Sequence, residues 1–248
     1  MEILVLVKRV PATDSQIKIA ADGKSYDAQG VEFVLNPYDE FAVEEALKTK
    51  EARGGTVTVM TLGTSAAQKD LRTCLAMGAD KAILLTCEDH PDSAAVASVL
   101  AEKSKELAPD LIFCGKQAVD DDAGQVGPRV ATLLGFACAT DVNSLEIGDD
   151  TFAATRDIEG GRETIEGKLP AVITCQKGLN EPRYPNLKGI MAAKKKPLDE
   201  AAATPPDNKV EVVALEPPAE RPAPSILGEG AAAVTTLIDK LQNEAKVL

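Results

Sequence analysis

Short apolar runs and longer mixed segments alternate along the first part of the chain, up to residue 135. The apolar runs predict buried strands at residues 2–7, 56–62, 81–86 and 111–114, and the first of them is rich in β-branched residues. Asn36 as an N-cap and Pro37 at the first helical position begin the first helix. The helices are predicted at residues 37–53, 65–78, 93–107 and 124–134. This alternation predicts an α/β fold, a doubly wound and mostly parallel Rossmann-like sheet with helices on both faces.

Two parts of the chain depart from this alternation. Residues 17–19 and 31–33 alternate apolar and polar positions around Gly23, which predicts a small antiparallel excursion. After residue 140, short strands separated by Gly-containing turns predict an antiparallel part of the sheet, followed by one more strand. These strands are predicted at residues 142–147, 152–158, 162–166 and 169–174.

The C-terminal part of the chain is rich in proline. Residues 197–225 contain seven of the fifteen prolines, so we expect an extended arm there rather than a helix. A last helix is predicted at about residues 230–247. We therefore expect an α/β domain over residues 1–196 and an arm over residues 197–248. Because one short helix is not a domain, we expect the arm to pack on a partner subunit.

The composition argues against several classes of function. The formal net charge of −12 makes nucleic acid an unsuitable partner, because phosphate neutralisation needs clustered Lys and Arg. No apolar run approaches the roughly 20 residues of a membrane span. A strand pattern follows Met1 directly, so we expect no signal segment and a cytoplasmic protein. The five cysteines form no CxxC pair and His90 is the only histidine, so we expect neither a metal site nor His-dependent nucleophilic catalysis.

The loop after the strand at residues 111–114 carries the candidate chemistry. It combines small residues with carboxylates and leads into a helix, with the sequence Gly115-Lys-Gln-Ala-Val-Asp-Asp-Asp-Ala-Gly-Gln-Val-Gly-Pro128. Open α/β sheets bind nucleotides at such loops, and a helix N-terminus binds phosphate. An ordinary polar loop fits the same pattern, and three consecutive aspartates favour ribose hydroxyls or a base edge over phosphate. The GxGxxG and GxxxxGK[ST] motifs are absent.

Further motifs stand in order along the chain. They are Val7-Lys-Arg-Val-Pro11, Asn36-Pro-Tyr-Asp-Glu-Phe-Ala-Val-Glu-Glu-Ala46, Leu179-Asn-Glu-Pro-Arg-Tyr184 and Lys194-Lys-Lys-Pro197. Together with Gly115-Lys-Gln-Ala-Val-Asp-Asp-Asp122, they make essentially the whole chain resemble the β subunit of electron transfer flavoproteins. The resemblance implies an electron carrier rather than an enzyme, the small subunit of a heterodimer with an α subunit.

The resemblance also implies a nucleotide site in the domain of residues 1–196. In the family this site holds AMP in a structural role, while the redox FAD lies mostly on the α subunit, against this chain. The matching positions are Leu6, Asn36, Pro37, Tyr38, Asp39, Leu62, Gly115, Lys116, Gln117, Ala118, Val119, Asp120, Asp121, Asp122, Ala123, Gly124, Gln125 and Val126. Helix capping alone explains Asn36 and Pro37, so their place in this set depends on the resemblance. Ser15 or Gln16 stands where some relatives have an aromatic residue at the flavin, so direct flavin contact is open.

Members of the family differ in the nucleotide that occupies this site. Electron-bifurcating members hold a second FAD in place of AMP and take electrons from NADH. They tend to have Gly-Arg-Gln-x-x-Asp-Gly-Asp-Thr in the loop, whereas this chain has Lys116, Asp121 and Ala123 at three of those positions. These departures favour AMP, and a second FAD is the alternative. A stand-alone nucleotide-binding sensor is a further alternative, against which stand the arm and the ordered motifs.

The segment at residues 179–196 is a candidate contact for partners. The resemblance implies that it binds acyl-CoA-type flavin dehydrogenases of fatty acid oxidation, with Leu187 as the anchor, and that electrons then pass to a quinone oxidoreductase. The partner-binding residues are Tyr184, Leu187, Ile190 and Met191. Judged from the residues alone, a Leu187 folded back onto its own domain fits equally well. The lysines at residues 194–196 either steer an acidic partner or form a solvated helix end.

Overall fold

The computed structural model describes residues 1–89, 91–219 and 223–248, so the polar turn predicted at His90 lies outside the described residues. The strands are β1 (Glu2–Leu6), β2 (Arg9–Pro11), β3 (Lys18–Ile19), β4 (Tyr26–Asp27), β5 (Phe33–Leu35), β6 (Thr56–Gly63), β7 (Lys81–Thr86), β8 (Leu111–Gly115), β9 (Ala137–Val142), β10 (Ser144–Ile147), β11 (Thr151–Ile158), β12 (Gly161–Lys168), β13 (Ala171–Cys175) and β14 (Leu198–Ala202). The helices are α1 (Pro37–Arg53), α2 (Gln68–Met77), α3 (Ser93–Leu107), α4 (Val126–Leu134), α5 (Leu187–Ala193) and α6 (Ala232–Asp239). A 3₁₀ turn at Ser65–Ala67 precedes α2, and a π-helical turn at Lys240–Glu244 continues α6.

Seven parallel strands form the central sheet, in the order β14-β7-β6-β1-β8-β13-β9. The chain runs from β1 to β6 and β7 on one side and then crosses to β8 on the other side of β1. The connections that follow β1 and β8 therefore diverge, which opens a crevice at the carboxyl ends of these two strands. The predicted α/β fold with a doubly wound, mostly parallel sheet is confirmed.

The sheet separates two hydrophobic cores, because successive residues of a strand point to opposite faces. Ile3 and Val5 of β1 pack with α1 and α2 on one face. Leu4 and Leu6 pack with α3 and α4 on the other face. Both faces of β1 are therefore covered by helices, which explains why this strand reads as a continuous apolar run.

The predicted antiparallel excursion exists, and it consists of two separate pairs of strands. β3 pairs with β4, whereas β5 pairs with β2 rather than with residues 17–19. The Asp22 carboxylate accepts hydrogen bonds from the backbone N–H groups of Lys24 and Ser25 and closes a tight turn. The tight turn brings β4 opposite β3, so β5 pairs instead with β2, which lies earlier in the chain.

The strand predicted at residues 142–147 is two strands in the structure. β9 ends in the parallel sheet at Val142, and β10 begins the three-stranded antiparallel sheet β10-β11-β12 at Ser144. Asp141 has a φ of 57°, and the pairing of β9 with β13 shifts register beside it. The chain changes sheets at this irregularity. The hydrophobic pattern does not predict β9, because its first residues, 137–139, have small side chains without β-branching.

The proline-rich segment begins with a strand that its composition does not indicate. β14 pairs in parallel with β7 at the edge of the sheet, directly after Pro197, and an edge strand tolerates a neighbouring proline. Residues 203–219 form neither helix nor strand. The predicted last helix is present as α6, and its Val234, Leu237 and Ile238 are exposed. In the described part of the chain, no helix has the length and apolarity needed to cross a membrane.

Candidate functional site

A pocket opens at the carboxyl ends of β1, β6 and β8, in front of the N-terminus of α4. The predicted site residues that line it are Leu6, Asn36, Asp39, Leu62, Gly115, Lys116, Gln117, Ala118, Asp121, Ala123, Gly124, Gln125 and Val126. The predicted residues outside its lining are Pro37, Tyr38, Val119, Asp120 and Asp122. The lining residues that the sequence analysis missed are Val7, Lys8, Pro91, Ser93, Val96, Leu100, Cys114 and Gly127.

Asn36 holds the loop of the pocket rather than the helix that it begins. Its side chain makes no capping hydrogen bond to α1. The Asn36 amide nitrogen donates to the backbone oxygen of Gln117 at 2.9 Å, and its Oδ1 accepts from the N–H of Val119 at 3.2 Å. The residue is 1% exposed. The capping explanation for Asn36 is therefore wrong as regards the side chain, which fixes the loop that forms one wall of the pocket.

Asp39 joins the ends of the two central strands. Its Oδ2 accepts from the backbone N–H of Lys8 at 2.7 Å, and its Oδ1 accepts from the N–H of Gly115 at 2.8 Å. Burial raises the pKa of Asp39 to about 7, although both hydrogen bonds favour the carboxylate. A Cβ on Gly115 would lie 2.5 Å from Asp39 Oδ1 and 2.6 Å from Tyr38 Cβ. Glycine at 115 therefore permits α1 to approach the end of β8.

Lys8 places a positive charge beside the three consecutive aspartates of the loop. Its ammonium lies 2.8 Å from Asp120 Oδ1 and 3.1 Å from Asp121 Oδ2. Burial alone would lower the pKa of Lys8, but the hydrogen bonds and charges of the two aspartates raise it above its ordinary value. The signal for Lys8 in the sequence is its position, two residues after the end of β1, where strand ends converge.

The pocket loop ends at an open helix N-terminus. Asp122 and Gly124 have φ values of 49° and 60° and turn the chain into α4. Gln125 is the N-cap, but its side chain bonds to Arg129 instead of capping the helix. Free N–H groups at the start of a helix, with the positive end of its dipole, attract a phosphate.

α4 approaches the sheet closely because its second residue is Gly127. A Cβ at this position would lie 2.8 Å from both Cys114 Sγ and Thr174 Cγ2. Any other residue would push the helix away from β8 and β13. The position of the helix N-terminus in the pocket therefore depends on this glycine.

The start of α3 forms the apolar wall of the pocket, with Pro91, Ser93, Val96 and Leu100 in its lining. Asp92 caps this helix, because its Oδ1 accepts from the N–H groups of residues 94 and 95. Its Oδ2 accepts from the N–H groups of residues 209 and 210, so the arm is fastened beside the pocket. The sequence predicts the start of α3 but not the strand order that brings this helix to the pocket.

Lys116 is the second cation in the lining, and it also has partners. Its Nζ lies 5.3 Å from the centre of the Tyr38 ring and 3.8 Å from Asp141 Oδ1. Within residues 1–89, 91–219 and 223–248, no group of His, Cys, Asp and Glu side chains is placed to hold a metal ion. Burial raises the pKa of Cys114 and Cys175 above the ordinary thiol value, which makes these thiols unreactive.

Residues 179–196, named the recognition loop for the role that the family resemblance implies, are attached to α1 and α2. Asn180 donates to the backbone oxygen of Phe41 and to Glu45. Arg183 forms ion pairs with Glu44 at 2.8 Å and Glu51 at 2.6 Å. The hydrogen bonds from Arg183 lower the pKa of Glu51. The beginning of the loop is therefore attached to α1 by polar contacts.

The end of the recognition loop is attached to α2. Arg72 donates to the backbone oxygens of Ala193 and Lys196, at 2.6 and 2.8 Å. The Lys196 ammonium donates to the backbone oxygens of Leu75 and Ala79. Burial lowers the pKa of Lys196. The basic run is therefore not uniform: the lysines at 194 and 195 are exposed, whereas Lys196 is bound internally.

Between these attachments the recognition loop presents apolar side chains to solvent. Tyr184 is 94% exposed, Leu187 81%, Met191 71% and Ile190 44%. The alternative in which Leu187 folds back onto its own domain is wrong for this structure. Exposed apolar residues on a fixed loop are typical of a protein-binding surface.

The chain is similar over its whole length to proteins of one known family. The family model described as the electron transfer flavoprotein domain matches residues 24–206, which include the pocket loop and the recognition loop. The electron transfer flavoprotein subunit beta of Bacillus subtilis is 43% identical over the full length of both chains. The protein of the same name from Bradyrhizobium diazoefficiens is 41% identical, and the mitochondrial one from Arabidopsis thaliana is 40% identical, again over full lengths. The chain therefore belongs to the family of electron transfer flavoprotein β subunits.

Proposed function

We propose that the pocket binds AMP in a structural role. The observation that carries this proposal is the meeting of strand ends, a fixed loop and an open helix N-terminus in one pocket. The apolar side chains of Leu6, Val96 and Leu100 suit an adenine ring, and the first N–H groups of α4 suit a phosphate.

The charges of the pocket favour a monophosphate over the diphosphate of FAD. Lys8 is paired with two aspartates, and Lys116 lies near Asp141. Both lysines among the described lining residues therefore have carboxylate neighbours already, and the phosphate depends on backbone N–H groups. Calorimetric titration of nucleotide-stripped protein with AMP and with adenosine tests this, and we expect AMP to bind at least about ten-fold tighter. Equal affinities would show that α4 holds no phosphate.

The proposed function of the assembled heterodimer is supported by membership of the family. FAD, held mostly by the α subunit, supplies the one-electron chemistry, while this chain binds AMP, completes the flavin pocket and recruits donors. The proposed donors are acyl-CoA-type flavin dehydrogenases, the proposed acceptor is a quinone oxidoreductase, and the proposed compartment is the cytoplasm. NADH should leave the flavin of the heterodimer oxidised. Rapid reduction by NADH would instead support a second FAD in the pocket and an electron-bifurcating protein.

The recognition loop is proposed to bind the dehydrogenase, with Leu187 as its anchor. Its support is the 81% exposure of Leu187 on a loop fixed at both ends. Leu187→Ala should raise the KM of the heterodimer as electron acceptor of an acyl-CoA dehydrogenase at least about ten-fold. Leu133→Ala, at an exposed leucine of α4, is the matched control and should leave KM unchanged. Equal KM values for both variants and the wild type would exclude Leu187 as the anchor.

A further inference from the structure

We infer that Arg183 is a positioning residue for dehydrogenase recognition, which holds the recognition loop in its binding conformation before the partner arrives. This inference rests on the proposed role of the loop. Arg183 itself lies next to Tyr184 and four residues before Leu187 but points away from them, into α1. It therefore acts through these exposed residues and not by contact with the partner.

Arg183 is bound to α1 through its backbone N–H, its Nε and both terminal nitrogens of its guanidinium. Its backbone N–H and Nε donate to Glu44 Oε2 at 3.1 and 2.8 Å, and one terminal nitrogen donates to Glu44 Oε1 at 2.9 Å. The guanidinium also donates to the two carboxylate oxygens of Glu51 at 2.6 and 3.2 Å. The guanidinium thus binds each carboxylate through both of its oxygens, a geometry that fixes direction as well as distance.

The two carboxylates are themselves well placed to hold a loop. Glu44 and Glu51 are seven residues apart on α1, so they lie two turns apart on the same helix face. The Glu44 side chain is only 7% exposed, whereas Glu51 is 59% exposed. A nearly buried carboxylate needs a partner, and Arg183 is the cation that pairs with it. Removal of Arg183 would leave Glu44 buried without a counter-charge.

Apart from the hydrogen bonds of Asn180 to α1, the described residues between Asn180 and the start of α5 are held mainly by Arg183. Residues 180–186 include two prolines and form neither helix nor strand, and Tyr184 makes almost no contact with the domain. An unattached loop of this kind would have to be ordered during binding, at a cost in conformational entropy that weakens affinity. The ion pairs with α1 order the segment that leads into α5, so Tyr184 and Leu187, the first residue of that helix, already stand in position.

The test uses the heterodimer with its α subunit and a medium-chain acyl-CoA dehydrogenase reduced by octanoyl-CoA. The variants are Arg183→Gln, Glu51→Gln and Leu187→Ala. The matched control is Arg162→Gln, which removes an exposed arginine paired with Asp157 on the antiparallel sheet. We expect Arg183→Gln to raise KM about ten-fold with kcat unchanged, Glu51→Gln to raise it less, and the control to have no effect.

Hydrogen exchange of the free heterodimer gives a second readout. The Arg183 amide, which donates to Glu44, should exchange faster in Arg183→Gln and Glu51→Gln while the amides of α1 stay protected. If Leu187→Ala raises KM but neither Arg183→Gln nor Glu51→Gln does, the inference is overturned and the proposed role of the loop stands. If Leu187→Ala has no effect either, both fail. If Arg183→Gln unfolds the chain, the KM of Glu51→Gln is the deciding measurement, because Glu51 is exposed. An unchanged KM for Glu51→Gln then overturns the inference.

Discussion

Asp39 is a buried carboxylate at the junction of β1, β8 and α1. Its pKa is raised from 3.8 to about 7 by burial, so the folded chain binds a proton that the unfolded chain releases. Stability should therefore fall as the pH rises from about 4 to 7, by roughly 3–4 kcal/mol from this group. Urea unfolding of the wild type and of Asp39→Asn at several pH values measures this contribution. Parallel pH profiles for the two proteins would contradict the prediction, whatever their absolute stabilities.

Gly127 sets the distance between α4 and the sheet. Gly127→Ala would place a methyl group 2.8 Å from Cys114 Sγ and Thr174 Cγ2. We expect a loss of about 1–3 kcal/mol in the free energy of unfolding and weaker AMP binding. Gly161→Ala is the control, because nothing lies within 4 Å of a Cβ there and its backbone is not left-handed. Calorimetric titration and urea unfolding measure both effects. Wild-type values for Gly127→Ala would show that Gly127 does not set this distance.

For single residues, the sequence indicates which ones form the pocket better than it indicates which other residues they contact. The loop residues follow from the motif, and most of them line the pocket. Lys8 and the side chain of Asn36 could not be interpreted correctly from local pattern, because their partners lie more than 80 residues away. Only the order of the strands brings such residues together.

α3 connects two parts of the molecule through its N-cap. Asp92 caps the helix that lines the pocket and also binds the backbone of the arm at residues 209–210. Asp92→Ala should therefore make the arm more sensitive to proteolysis, with cleavage at residues 203–219 at least about five-fold faster. Asp207→Ala removes the same charge from the neighbouring arm and is the control. An identical digestion rate for the two variants would show that Asp92 does not fasten the arm.

The elements themselves differ in how well their patterns predict them. β7 and α3 match the predicted residues 81–86 and 93–107, since a β-branched apolar run and a clear cap mark their ends. β9 and β14 escape prediction, because small residues and a flanking proline conceal strands that pairing with neighbours stabilises. The antiparallel excursion is predicted as an element, but its partner is not, because a turn of a few residues decides the pairing.

The C-terminal part of the chain exposes apolar surface. The arm and α6 carry exposed apolar residues, among them Val213, Ile226 and Leu237, which belong to neither of the two cores. We expect the α subunit to cover them, because apolar side chains exposed in this way are typical of a protein-binding surface. Removal of residues 231–248 should abolish co-purification of the α subunit while the central sheet still folds, as judged by circular dichroism. Full recovery of the heterodimer would contradict this.

The nucleotide content of the heterodimer shows whether the pocket holds AMP. The chain is purified together with its natural α subunit, the bound nucleotides are released with acid, and each is quantified by chromatography. We expect one FAD and one AMP per heterodimer. Two FAD and no AMP would contradict the proposed occupant of the pocket, and one FAD with no second nucleotide would contradict the site itself.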